Sequence, residues 1–131
     1  MEIWDSKNKR KLFIEEKSKF ENIRYKINFL RIDIGTEYPY TIGVVICNKK
    51  TKKYGVISIK PPIDEYGEGS FPEKIDLICE TKGILKLKIE FEVGSRMTWY
   101  NESFTIIVPK YIISLSENEL KELLSEIVET Y

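Results

Sequence analysis

Residues 84–93 of this 131-residue chain read Ile-Leu-Lys-Leu-Lys-Ile-Glu-Phe-Glu-Val, and apolar and charged side chains alternate through them. A period of two is typical of a β-strand that buries one face and exposes the other. The predicted buried face consists of Leu85, Leu87, Ile89, Phe91 and Val93. Because antiparallel sheets commonly bury one face only, this stretch predicts an antiparallel sheet.

The same period recurs on both sides of this strand. Residues 75–80 precede it across a turn that contains Gly83, which predicts a β-hairpin. Further strands are predicted at 2–4, 11–16, 22–34, 41–48, 54–60, 104–108 and 111–115. The segment 61–74, rich in proline and glycine, and the segment 94–103 are predicted to be loops.

Residues 22–34 contain a change of phase. The apolar positions shift from the set Ile23, Tyr25, Ile27 and Phe29 to the set Leu30, Ile32 and Ile34. A shift of one residue moves side chains to the opposite face of a strand. The pattern therefore predicts a β-bulge, or a strand that bends from one sheet into another.

The segment 116–131 has the pattern of an amphipathic helix. Ser116 and Glu119 form the spacing of a capping box, which marks a helix N-terminus. The predicted apolar stripe consists of Leu120, Leu123, Leu124, Ile127 and Tyr131. Such a helix is expected to cover an open sheet face or a barrel end, and the alternative is a helix–helix seam in a homodimer.

The sequence thus predicts a mainly β protein, α+β at the margin, with a single domain over residues 1–131. Its expected architecture is an antiparallel β-sandwich or partly open barrel of about eight strands, built from hairpins and capped by the C-terminal helix. No apolar run reaches the length of a membrane span, and the N-terminus lacks the pattern of a secretory signal. We therefore expect a cytoplasmic protein without membrane contact.

The composition excludes several kinds of catalytic site. The chain contains no histidine, so it cannot by itself form a Ser-His-Asp triad, a Cys-His pair or a zinc site with imidazole ligands. Cys47 and Cys79 lie in apolar runs and are predicted to be reduced core residues, with a disulfide between neighbouring strands as the alternative. We expect no catalytic residues, no cofactor and no metal site, and hence no enzyme.

Aromatic residues in the two predicted loops indicate a protein-binding surface, because aromatic residues and methionine are enriched at interface centres. The candidate partner-binding residues are Tyr66, Phe71, Met97, Trp99 and Tyr100. This reading predicts a small non-catalytic binder of the immunity-protein, anti-defence or accessory-subunit type, of viral or mobile-element origin.

Two alternatives follow from other features. Residues 1–60 carry 14 basic and 7 acidic side chains, and residues 61–131 carry the reverse. A single-stranded nucleic acid is the alternative partner, bound through the basic half. The candidate contacts are Lys49, Lys50, Lys52, Lys53 and Tyr54, with Tyr38 and Tyr40 as further stacking surfaces. The second alternative is a structural or assembly protein that forms homo-oligomers.

Overall fold

The computed structural model describes residues 1–35, 38–62, 70–95 and 98–131, and of Ser95 only the backbone. Within these ranges it contains eight strands in two antiparallel sheets and one C-terminal α-helix, so the predicted fold class is confirmed. The five-stranded sheet has the order β1 to β5, namely Glu2–Asp5, Arg10–Glu21, Tyr25–Asp33, Tyr40–Asn48 and Lys53–Ser58. The three-stranded sheet has the order β6, β7 and β8, namely Ser70–Glu80, Ile84–Ser95 and Thr98–Pro109.

The core between the sheets centres on β7, the strand with the regular alternation. Its five predicted buried side chains are fully inaccessible to solvent. They pack against the face of the five-stranded sheet that carries Ile27, Phe29 and Val44. The Phe29 and Phe91 rings join the two sheets, with centroids 5.5 Å apart. The period of two therefore identified both the strand and its buried face correctly.

The phase change in β3 marks a change in what covers the sheet. Ile27 and Phe29 face the three-stranded sheet, whereas Leu30 and Ile32 pack in a separate cluster with the helix. The register between β3 and β4 shifts at Leu30, which confirms the predicted bulge. Both faces of β3 are covered. Its apolar side chains therefore face the three-stranded sheet in the first part of the strand and the helix in the second part.

The helix α1, Glu117–Thr130, begins with the predicted capping box between Ser116 and Glu119. It packs on the outer face of the five-stranded sheet, and its buried residues are Leu120, Leu124 and Val128. The prediction that it covers a sheet is therefore confirmed, although Tyr131 is exposed and Val128 lies in the stripe instead. This apolar stripe, which suggested a homodimer seam through residues 116–131, is occupied by the chain's own sheet.

Three predictions of local structure were wrong. Residues 94–95 and 98–103 do not form the predicted loop, because β7 continues to Ser95 and pairs there with β8, which begins at Thr98, while residues 96–97 lie outside the described residues. The predicted strand 111–115 is a 3₁₀ turn, Lys110–Ile112, followed by one bridge between Leu115 and Tyr54. Residues 70–74 are not a loop but form the start of β6. Pairing along β7 outweighed the local turn composition in the first and last of these cases.

Cys47 and Cys79 are free, as predicted, but neither is fully in the core, because Cys47 is half-buried and Cys79 is exposed. The register between β6 and β7 shifts between Leu77 and Cys79, which places Cys79 opposite Lys86 on the outer face. No helix within the described ranges is long and apolar enough to cross a bilayer.

Glu80 joins three segments at one end of the sandwich. Its carboxylate lies 2.7 Å from Lys110 Nζ and 3.3 Å from Arg24 Nη2, and it accepts a hydrogen bond from the Tyr25 hydroxyl. The hydrogen bond from Lys110 is the main cause that lowers the pKa of Glu80 below its ordinary value of 4.5. The ionised carboxylate therefore holds the end of β6 against β3 and the 3₁₀ turn.

We expect Glu80→Gln to be less stable than the wild type at neutral pH, and this difference to shrink as the pH falls. A lowered folded-state pKa means that the contribution is present above pH 4.5, the ordinary value, and is lost as the pH falls through the folded pKa. Urea unfolding of both proteins between neutral pH and pH 3 measures the difference. A difference that is constant across this range would contradict the role given to the ionised carboxylate.

Candidate functional site

Three aromatic rings from separate segments meet at one end of the three-stranded sheet. Phe71 on β6 lies at the centre, with the Tyr38 ring at 5.3 Å in an edge-on arrangement and the Trp99 ring at 5.8 Å. We call Tyr38, Phe71 and Trp99 the aromatic cluster. Two of its members were predicted as partner-binding residues, and the fold brings them together from positions 28 residues apart in the chain.

Gly94 leaves free the space that the Trp99 indole occupies, and we call this position of the indole the seat of Trp99. Gly94 lies directly opposite Trp99 in the pairing of β7 with β8, and a Cβ atom on Gly94 would overlap the indole ring. Trp99 nevertheless remains 51% exposed. The indole is thus held over the bare backbone of β7 and against Phe71, while half of its surface faces solvent.

The other predicted partner-binding residues lie elsewhere or outside the described ranges. Tyr100 is exposed but follows Trp99 in the same strand, so it points to the opposite face of the sheet. Tyr66 and Met97 lie outside the residues that the structure describes. The structure therefore brings Phe71 and Trp99 together and separates Tyr100 from them.

Tyr38 is the member of the cluster that sequence reasoning assigned to another site. It was grouped with the lysine-rich turn as a stacking surface, but the turn follows β4 and Tyr38 precedes it. β4 has nine residues, so its two ends lie about 27 Å apart. Only the closure of the sandwich brings Tyr38 to Phe71, and no local pattern in the sequence contains that information.

The lysine-rich turn between β4 and β5 is partly neutralised by neighbouring acids. Lys49 Nζ lies 2.8 Å from Glu21 Oε1 and donates a hydrogen bond to the carbonyl of Asn22. The hydrogen bond from Lys49 to the Glu21 carboxylate is the main cause that lowers the pKa of Glu21. The pKa of Glu119 on α1 is lowered mainly by its hydrogen bonds with Ser116, and Lys53 makes a smaller electrostatic contribution.

Tyr54 does not form an open stacking surface beside these lysines. It is half-buried, packs in the cluster between the five-stranded sheet and α1, and exchanges two backbone hydrogen bonds with Leu115. Burial is the main cause that raises the pKa of its phenol. Of the predicted nucleic-acid contacts, Lys50, Lys52 and Lys53 are exposed, whereas Lys49 and Tyr54 are half-buried.

The guanidinium of Arg31 is buried in the five-stranded sheet. Arg31 Nη1 lies 3.6 Å from Glu15 Oε2, and Nη2 donates a hydrogen bond of 2.6 Å to the carbonyl of Pro39. Arg31 Nε and Thr41 Oγ1, on paired residues of β3 and β4, have no hydrogen-bond partner among the described residues. Burial is the main cause that lowers the pKa of Arg31. Arg31 and Thr41 are thus part of the protein interior and do not form an accessible site.

Among the described residues, no three acidic or sulfur-bearing side chains converge as the ligands of a metal ion would. Comparisons of the chain with models of protein families, with curated proteins and with solved structures gave no match. Among the described residues, the aromatic cluster is the candidate binding surface.

Proposed function

We propose that this chain is a non-catalytic protein-binding module whose contact surface centres on the aromatic cluster. The observation that carries the proposal is the seat of Trp99, which is half exposed and yet confined by Gly94 and Phe71. Tryptophan and tyrosine are the residues that most often dominate binding energy at protein interfaces. An anchor that is already ordered loses little conformational entropy when it binds.

A second exposed tryptophan provides an internal comparison. Trp4 on β1 is 66% exposed, and the Lys11 ammonium lies 5.6 Å from its ring. It belongs to a strand of four residues at the far edge of the five-stranded sheet. Trp4→Ala therefore removes an equally large exposed ring from a different surface.

We expect Trp99→Ala to weaken partner binding by about 2 kcal/mol or more, which corresponds to roughly thirtyfold. The partner is first captured from extract of the source cell on immobilised wild-type protein and identified by mass spectrometry. Binding of the purified partner is then measured by calorimetry with the wild type, Trp99→Ala and Trp4→Ala. Equal affinities for all three proteins would exclude the aromatic cluster as the binding site.

Gly94→Val tests whether the position of Trp99 matters in addition to its presence. The new side chain displaces the indole while all three rings of the cluster remain in the chain. We expect a loss of affinity close to that of Trp99→Ala. Wild-type affinity of Gly94→Val would show that the seat described above is irrelevant to binding.

A single-stranded nucleic acid remains the alternative partner, supported by the exposed Lys50 and Lys52 at the tip of the β4–β5 turn. Fluorescence anisotropy with labelled single-stranded DNA and RNA at low and moderate salt tests it. This function requires binding that weakens steeply with salt and is abolished when all four lysines of the turn are neutralised. A structural or assembly role, the third function considered, requires large homo-oligomers in solution.

A further inference from the structure

The strand β8 is a long sheet edge without the usual protection. Among the described residues it pairs only with β7, through twelve consecutive residue pairs without a register shift. Exposed edges are commonly protected by lysine, proline, bulges or short length, because an open edge pairs readily with another strand. β8 has twelve residues, a single charged side chain, Glu102, and a proline only at its last position, Pro109.

The other three edges of the two sheets carry such protection. β1 has four residues, and β5 has six and is bonded to Leu115 at Tyr54. β6 contains Pro72 and two register shifts, and the carbonyl of Pro72 accepts a hydrogen bond from the Ser18 hydroxyl. The absence of these devices from β8 is therefore specific to this edge.

We propose that β8 pairs with β8 of a second copy of this chain, antiparallel, about a two-fold axis at Ser103. This register pairs residues 98–108 of the two copies and leaves out only Pro109 of β8. Such a ladder supplies about ten backbone hydrogen bonds and joins the two three-stranded sheets into one sheet of six strands. The homodimer thus forms through the sheet edge and leaves α1 on its own sheet.

The side chains of β8 are complementary to themselves in this register. Trp99, on the outer face, lies opposite Ile107 of the second copy, and both are among the exposed large apolar residues. On the other face, Tyr100 lies opposite Ile106 of the second copy. Pairs of an aromatic and a β-branched residue are favourable across strands.

Neighbouring registers lack this complementarity. An axis at Glu102 would place the two Glu102 carboxylates directly opposite each other, and like charges in that position are destabilising. An axis at Phe104 would place Pro109, which has no amide hydrogen, opposite Trp99 of the second copy. The axis at Ser103 avoids both conflicts and sets small residues against each other at the centre.

The charges of β7 favour the same arrangement. Its outer face carries two lysines and then two glutamates along the strand, in the order Lys86, Lys88, Glu90 and Glu92. The two-fold axis reverses the strand, so Lys88 of each copy lies level with Glu92 of the other across the seam. Glu90 lies level with Glu90 of the second copy. The arrangement therefore has two pairs of opposite charge and one pair of like charge.

The two β7 strands would lie about 14 Å apart, three strand spacings. The long Lys88 and Glu92 side chains shorten this distance by extending over Thr105 and Asn101, the outer residues of β8 that lie between them. The dimer also places Ile107 of the second copy beside Trp99, which enlarges the apolar surface around the aromatic cluster. The pairing itself does not depend on the proposed partner binding.

Ser103→Glu is the variant that tests the axis. It places a carboxylate from each copy at the centre, beside Glu90, so that four carboxylates lie in one row across the seam. We expect its dimer dissociation constant to rise about tenfold or more. Ser103→Lys is expected to have a smaller effect, because Glu90 of the same chain neutralises the new charge. An equal mixture of Ser103→Glu and Ser103→Lys is expected to associate more tightly than Ser103→Glu alone.

The measurement is sedimentation equilibrium over a concentration series, with Ser58→Glu on β5 as the matched control. Circular dichroism shows whether each variant is folded, which is expected because Ser103 and Ser58 are both exposed. A wild type that dimerises, a control that behaves like it and a weakened Ser103→Glu support the proposal. A wild type that stays monomeric at every concentration, or a Ser103→Glu dimer as tight as the control, overturns it.

A disulfide across the axis gives a second, independent readout. Directly opposite residues of antiparallel strands have Cα atoms about 4.5–5.5 Å apart, within the range that a disulfide spans. Ser103→Cys in a Cys79→Ser background is therefore expected to form a covalent dimer on mild oxidation, whereas Ser58→Cys in the same background is not. Equal cross-linking of the two would overturn the register. Because Ser103→Glu keeps the aromatic cluster intact, loss of the dimer and loss of partner binding are distinguishable.

Discussion

Replacing Arg31 by alanine is expected to lower the free energy of unfolding by about 3–5 kcal/mol. Arg31 is 7% exposed, and its guanidinium contacts the Glu15 carboxylate and the carbonyl of Pro39. Its removal leaves a partly buried carboxylate without its cation and a carbonyl without its donor. Since a domain of this size is stable by about 5–15 kcal/mol in total, the loss is a large share.

Urea unfolding followed by circular dichroism measures the loss of stability, and two further variants serve as comparisons. Lys121→Ala removes an exposed pair with Glu117 on α1, which is expected to change stability by about 0.5 kcal/mol or less. Arg31→Met combined with Glu15→Leu replaces the pair by apolar groups and is expected to recover much of the loss. A loss for Arg31→Ala no larger than that of Lys121→Ala would show that the buried pair carries little stability.

Replacing Phe29 by alanine is expected to lower the free energy of unfolding by about 3–5 kcal/mol as well, for a different reason. Phe29 is fully buried between the sheets, and its ring packs on Phe91. The substitution removes apolar contact area and leaves a cavity that the two surrounding strands cannot fill. The midpoint of urea unfolding, with an unchanged slope, reports the loss.

Phe13→Ala is the matched control, because Phe13 belongs to the same sheet but is only half-buried. A double-mutant cycle with Phe91→Ala is expected to show coupling, since the two rings share one contact across the core. Equal losses for Phe29→Ala and Phe13→Ala, together with additive effects of Phe29→Ala and Phe91→Ala, would contradict the position of Phe29 at the centre of the core.

Local pattern predicted most of the regular structure where one physical requirement dominated. The alternation in β7 reflects one buried and one wet face, and the capping box of α1 reflects unpaired amides at a helix start. The same local reasoning was wrong where strand pairing opposed it. Residues 98–103 have the composition of a loop, but their backbone bonds to β7 make them a strand.

The candidate site was predicted only in part. Phe71 and Trp99 were predicted as partner-binding residues from residue type and from the segments that carry them. The role of Gly94 was missed, although a glycine opposite a tryptophan in paired strands is a signal that correct pairing of β7 with β8 would have revealed. Tyr38 was assigned to the wrong surface because the distance between it and the lysine turn depends on the length and direction of β4.

By itself the sequence determined a strand-rich fold with a capped C-terminal helix, because periodicity and helix caps act over a few residues, and its composition excluded catalytic sites that need a histidine of this chain. Only the tertiary structure decided that β3 is covered by the second sheet on one face and by α1 on the other. It also decided that Trp99 meets Phe71 and that, among the described strands, β8 is an edge of its sheet. These features depend on contacts between residues distant in the chain, and a local pattern does not say which elements make those contacts.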